Sequence, residues 1–188
     1  HELVIQWAIA RQIIPNATVE GQKAKTYQEY AETRTGLIGR DYNEFCDGIG
    51  DIIVTLIIGN YLKGADHQDL ASLTIQDLEN MSPYGNQTAM EAMNNAVINI
   101  TYGNYLESIV ELVSAVELAR VQYDELTDVS LENAMDMAWN DIKDRTGELK
   151  PDGIFYKEKR CCVCGVKFLD YPQGCDSPCH PGIVVANS

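Results

Sequence analysis

Two rows of carboxylates are the residues of this chain best placed to do chemistry. Glu29 and Glu32 stand three apart in the segment Lys-Thr-Tyr-Gln-Glu-Tyr-Ala-Glu. At roughly 100° per residue they project from one side of a helix, about one turn apart. Glu44, Asp47 and Asp51 follow at i, i+3 and i+7, a spacing that gathers them on one stripe of a second helix. Asp51 borders the apolar run from Ile52 to Ile58. A carboxylate at the edge of a buried face is costly unless a cation or hydrogen bonds compensate it. Two helices joined by a short glycine-containing turn are antiparallel neighbours, so the two rows can face each other. Converging carboxylate oxygens form a hard donor set suited to Mg²⁺ or Mn²⁺. The same spacings also describe an ordinary solvated acidic face, and spacing by itself leaves both readings open.

A second group of reactive side chains lies near the end. Five of the six cysteines fall between Cys161 and Cys179, with Cys46 alone in the first third. Disulfides that build a secreted domain are spread through a chain; crowding at one end points to a reducing compartment and a local metal site. Cys161 and Cys164, then Cys175 and Cys179, form two pairs with the spacing of a structural Zn²⁺ knuckle. Cys162 and His180 are spare donors, either of which could replace a nominal ligand. Accidental or redox-active cysteines are the alternative.

The elements that must position these groups are helical. Apolar residues at three- and four-residue spacing from Leu3 to Ile14 predict a first helix, closed by Pro15 and Asn16. Thr18 is the N-cap of a second helix running to about Thr35, broken by Gly36 and Gly39. Asp41 starts a third, which Gly64 ends; Ile52–Ile58 is β-branched enough for a strand, but the apolar pattern is too long for one. Asp66 to Glu79 reads as a polar helix or turns, and residues 82–86 as a loop. A helical stretch follows from Thr88 to Tyr123, with a break near Gly103. Ser130 caps a last helix through Lys143, and residues 154–156 suggest a short strand. The tetrapeptide Gly-Asn-Tyr-Leu occurs at Gly59 and again at Gly103, by chance or as an eroded duplication of a helical hairpin. The expected architecture is an all-α antiparallel bundle over residues 1–158, with a small zinc-knuckle tail over 159–188.

Charge narrows the partners. The 188 residues carry 14 Lys and Arg against 28 Asp and Glu, a formal charge of −14. Nucleic-acid backbones and anionic membrane surfaces repel such a chain, so neither is expected as a partner. The apolar run at Ile52 is too short to span a bilayer, and a soluble, cytoplasmic protein is expected, in a bacterial host's cytoplasm if the gene is a phage's.

Three segments in order, "KTYQEYAE", "DGIGDIIVTLI" and "AWNDIKDRTGELKPDGIFYKE", resemble the MazG-like nucleoside triphosphate pyrophosphohydrolases of the all-α NTP-pyrophosphatase superfamily. The likeness runs from about residue 2 to residue 158 and is weak between Asp66 and Glu125. It implies that Glu29, Glu32 and Asp51 are ligands of Mg²⁺ or Mn²⁺, with Glu29 or Glu32 acting on the attacking water. The family's remaining ligand is a Glu three residues before the Asp, where this chain has Gly48. Asp47 is the expected substitute and Glu44 the reserve. The resemblance further implies that Lys25, Asn140, Lys143 and Arg145 meet phosphates and sugar, and that Ile14, Asn16 and Gln22 border the base.

The implied reaction is hydrolysis of a (deoxy)nucleoside triphosphate between the α- and β-phosphates, giving monophosphate and pyrophosphate, with a lean toward a purine deoxynucleotide such as dGTP. A homodimer or homotetramer is implied as well. Two other functions fit the same residues: an enzyme acting on a metabolite of the phosphoribosyl-ATP type, or a non-catalytic acidic helical protein that docks a partner through its zinc tail.

Overall fold

A computed structural model describes residues 1–64, 70, 72–82, 85–149, 155–160 and 167–169. The described chain is predominantly helical, as the apolar periodicity requires. Helix α1 spans Glu2–Ala10 and buries Val4, Ile5, Trp7 and Ala8. It stops earlier than the periodicity predicts. Ile14 precedes Pro15, whose ring disfavours helical backbone at the residue before it, and Ile14 is extended at φ −95°, ψ 126°. The chain turns through left-handed Gln12 into the short kinked turn α2, Ile13–Asn16.

Helix α3, Val19–Gly39, starts where expected, with the Thr18 hydroxyl accepting from the Gly21 amide at 3.0 Å. It runs a full turn past Thr35, however, and ends at left-handed Arg40. Gly36 does not break it. A Cβ there would lie 2.7 Å from the backbone N of Phe45, so this glycine sets the close approach of the next helix.

That next helix, α4, spans Tyr42–Lys63 between an Asp41 cap and Gly64 at φ +66°. It is the hub of the fold. Nearly every residue from Phe45 to Asn60 is buried, because α3 packs on one side and later helices on the others. By length and composition α4 could cross a membrane, but 78% of its most apolar stretch is buried inside the protein. Such burial suits a core helix.

Helix α5 (Ile75–Met81) opens with a Thr74–Asp77 capping box. Helices α6 (Ala89–Tyr102) and α7 (Tyr105–Gln122) form a hairpin around Gly103 at φ +77°. The break expected near Gly103 is therefore real. The repeated tetrapeptide is not a repeated structure: Gly59 lies inside α4, whereas Gly103 ends α6. The two copies instead pack together. A Cβ at Gly59 would meet the Tyr105 ring at 2.8 Å, and the Lys63 ammonium donates to the Gly103 carbonyl at 2.8 Å.

A 3₁₀ turn, Asp124–Leu126, leads to α8, Leu131–Ile142, capped by the Ser130 hydroxyl. Helix α8 crosses α4 so closely that a Cβ at Gly50 would fall 2.2 Å from the Ala134 carbonyl oxygen. Three antiparallel strands follow in the order β1 (Gly147–Leu149), β2 (Phe155–Arg160), β3 (Lys167–Leu169). This sheet adds to the all-α expectation, which allowed only a short strand at residues 154–156. The residues assigned to zinc, Cys161, Cys164, Cys175 and Cys179, lie outside the described residues, as do Cys162 and His180.

Candidate active site

Where α3 and α4 run side by side, a cavity of about 310 Å³ opens between them, closed by α1, the end of α8 and β2. Helix α3 lends it Gln22, Lys25, Gln28 and Glu29, and α4 lends Asp51, Val54, Thr55 and Ile58. These sets follow from helical spacing: 22, 25 and 29 lie on one stripe, as do 51, 55 and 58. The two helices are joined by buried Thr26 and the lining residue Thr55, whose hydroxyls are 2.8 Å apart.

One end of the cavity is ionic. Glu29 is only 5% exposed and its carboxylate pairs with the Lys25 ammonium. Asp51 stands across from it, and burial together with the charges of Glu29 and Asp47 pushes its carboxyl up to about 6, against relief from Arg145 and Lys25. Glu32 and Asp47 are exposed and do not line the cavity. The Glu32 carboxyl is also raised, by desolvation first and then by Glu29 and Asp47, while Lys25 and Lys157 lower it. The charges of Glu29 and Asp47 thus act on both Asp51 and Glu32. Glu44 does not act on these groups; it sits exposed in the first turn of α4, its amide capped by Asp41.

The opposite walls are apolar and aromatic. Trp7 and Ile13 come from the N-terminal segment, Ile142 from α8 and Phe155 from β2. The Trp7 and Phe155 rings meet edge to face with centroids 6.1 Å apart. The Trp7 indole N–H is buried and has no hydrogen-bond partner among the described residues. Arg11 ties this wall together: its Nε donates to the Arg145 carbonyl at 2.7 Å, and its guanidinium lies 5.7 Å from the Trp7 ring centroid. Arg145, just past the end of α8, reaches the cavity and pairs with Asp141.

Of the residues expected around substrate, Lys25, Gln22 and Arg145 line the cavity. Asn140 and Lys143 do not: both are exposed, and the Lys143 ammonium donates to Asn140 Oδ1 at 2.7 Å. Ile14 is packed into the core and Asn16 is exposed, its amide on the Gln12 carbonyl at 2.9 Å. The extended backbone before Pro15 brings Ile13 to the wall instead. Sequence reasoning passed over Trp7, Gln28, Thr55 and Phe155. Gln28 adjoins Glu29 and Thr55 is one turn beyond Asp51, so helical spacing could have found both. Trp7 and Phe155 are brought together only by the tertiary fold.

Position 48, where the resemblance implies a Glu, has no room for a side chain: a Cβ on Gly48 would lie 2.2 Å from Thr33 Oγ1 and 2.9 Å from Thr33 Cα. Asp47, on the open side of α4, acts by its charge on Asp51 and Glu32. The donor set is chemically suited to a hard divalent cation: oxygen donors only, with mutual repulsion that a cation would relieve. Among the described residues, no three acidic, histidine or cysteine side chains converge closely enough to share one ion, and Lys25 holds Glu29 in their place. The chain was compared with protein-family models, with curated proteins and with solved structures, and it matches none of them.

Proposed function

We propose that this protein is a divalent-metal-dependent nucleoside triphosphate pyrophosphohydrolase of the MazG-like kind, built on an all-α NTP-pyrophosphatase bundle. One observation carries the reading: a single cavity joins two carboxylates, the buried Glu29 and the half-buried Asp51, with two cations, Lys25 and Arg145, and an aromatic wall. A nucleotide presents the complementary sequence of groups, a flat apolar base followed by a polyphosphate. An acidic protein that merely docks a partner has no use for a carboxylate in a cavity floor, where burial raises Asp51 to about 6.

Glu29 and Asp51, joined by the exposed Asp47 and Glu32, would hold Mg²⁺ or Mn²⁺. When bound, that ion supplies charge neutralisation at the phosphate oxygens. The chain's own groups do the rest. Lys25 exchanges its bond to Glu29 for a phosphate oxygen, and Arg145 takes another from the opposite side. Glu32, exposed and with a raised carboxyl, accepts the proton of the attacking water. The water oxygen bonds to the α-phosphorus, the bond from that phosphorus to the bridging oxygen breaks, and pyrophosphate leaves with the electron pair. Trp7, Ile13 and Phe155 cover the base and exclude water.

A purine deoxynucleotide such as dGTP is the proposed substrate, Zn²⁺ the proposed occupant of the cysteine tail, and a homo-oligomer the proposed assembly. Exposed Ile38, Ile98, Tyr102 and Val121 are apolar side chains such an assembly would cover. The test is a panel of ribo- and deoxynucleoside triphosphates with Mg²⁺, in which pyrophosphate and monophosphate are both quantified. Equal release of the two, abolished in Glu29→Gln, supports the proposal. No release from any nucleotide overturns it.

A further inference from the structure

Strand β2 carries a second contribution to this site, from the end of the third segment, beyond its helix. Side chains alternate across a strand, so Phe155 and Lys157 share one face and Glu158 the other. Phe155 fixes which face is inward: it lines the cavity against Trp7. On the other face the Glu158 carboxylate accepts from Thr146 Oγ1 at 3.3 Å, next to the Gly147–Lys157 pair of the β1–β2 register. Lys157 is therefore one pleat, roughly 6–7 Å, further along the inward face. Its charge acts on Glu32, the carboxylate one turn beyond Glu29 on α3. Phe155 stands at the apolar wall, and Lys157 lies one pleat beyond it, within reach of the Glu32 charge. Lys157 makes none of the ion pairs found among the described residues.

We infer that Lys157 is a phosphate-binding residue of this cavity, meeting the β- and γ-phosphates of a nucleoside triphosphate whose base lies against Trp7 and Phe155. The inference rests on the pyrophosphohydrolase reading and deepens it, because those two phosphates are the departing pyrophosphate. Negative charge accumulates on that group as the bond to the α-phosphorus breaks. An ammonium beyond the aromatic wall stabilises it there without competing for Glu29 and Asp51.

The test is calorimetric binding to the full chain, with Mg²⁺ present, of the non-hydrolysable α,β-imido analogues of the four deoxynucleoside triphosphates and of the matching monophosphates. Lys157→Gln should weaken the triphosphate analogue about tenfold and change the monophosphate less than about twofold. Lys157→Arg, which keeps the charge, should restore the triphosphate, and Phe155→Ala should weaken both ligands alike. Melting temperatures of the two Lys157 variants should match wild type. Triphosphate binding by Lys157→Gln within twofold of wild type, or an equal loss on both ligands, overturns the inference while leaving the pyrophosphohydrolase reading intact. A wild-type protein that binds no nucleotide overturns both.

Discussion

Replacing Asp51 by Asn should make the metal-free protein more stable and the enzyme nearly inactive. Asp51 is raised from 3.8 to about 6 by burial and by Glu29 and Asp47. Holding it ionised at neutral pH therefore costs the folded state about 3 kcal/mol, at 1.36 kcal/mol per tenfold change in proton affinity. The sign follows from linkage. Below pH 4 the carboxyl is protonated in both the folded and the unfolded chain, and it costs nothing. Between pH 4 and 6 the unfolded chain releases its proton first, so stability falls as pH rises. Above pH 6 the cost is constant. Asn keeps the shape and removes the charge, so the metal-free variant should melt roughly 5–10 °C higher at pH 7, with a flatter profile between pH 4 and 6. Mg²⁺ should raise the melting temperature of wild type and leave that of Asp51→Asn almost unmoved. Pyrophosphate release at saturating Mg²⁺ should fall by on the order of 10² or more. The assays are thermal melts across pH with and without Mg²⁺, alongside turnover. A variant that keeps near wild-type activity, or loses activity only as far as it unfolds, would refute the role given to Asp51.

Lys25→Met should strip the buried Glu29 carboxylate of its partner and destabilise the metal-free protein by about 1 kcal/mol, a modest figure because Lys25 is half exposed. Added Mg²⁺ should recover that loss of melting temperature but not the lost turnover. Gly48→Ala should cost about 2–4 kcal/mol in denaturant unfolding, because its methyl would strike both the side chain and the Cα of Thr33. Metal analysis of protein purified without added zinc should find about one Zn²⁺ per chain, lost in Cys164→Ser; freely titrating tail thiols with no zinc would contradict the knuckle.

Local chemistry made most of the helical body legible. Thr18, Asp41 and Ser130 each cap the helix predicted to follow them, and Gly64 and Gly103 each end one in left-handed backbone. The length of the apolar pattern settled α4 as helix despite its β-branched run. What escaped was nonlocal. Gly36 reads as a breaker along the chain but is a contact point between α3 and α4. Ile14 fits the apolar spacing of α1, yet Pro15 forces it out of helix and hands the cavity wall to Ile13. The same division holds at the site. Carboxylates on one helix declare themselves by spacing, and of the four expected, Glu29 and Asp51 line the cavity. The aromatic wall joins Trp7 of the first helix to Phe155 of a late strand, a pairing no local pattern encodes. Asn140 and Lys143 fell on the outer face of the segment whose end carries Arg145 inward, so the late motif places one of its three residues in the cavity.

The central claim is that water attacks the α-phosphorus of a nucleotide held between α3 and α4. Hydrolysis of the preferred triphosphate in ¹⁸O-enriched water, with products separated and weighed by mass spectrometry, tests that bond directly. The account predicts one labelled oxygen in the nucleoside monophosphate and none in an equimolar amount of pyrophosphate. Label in pyrophosphate or orthophosphate, or no Mg²⁺-dependent turnover of any triphosphate, would contradict it.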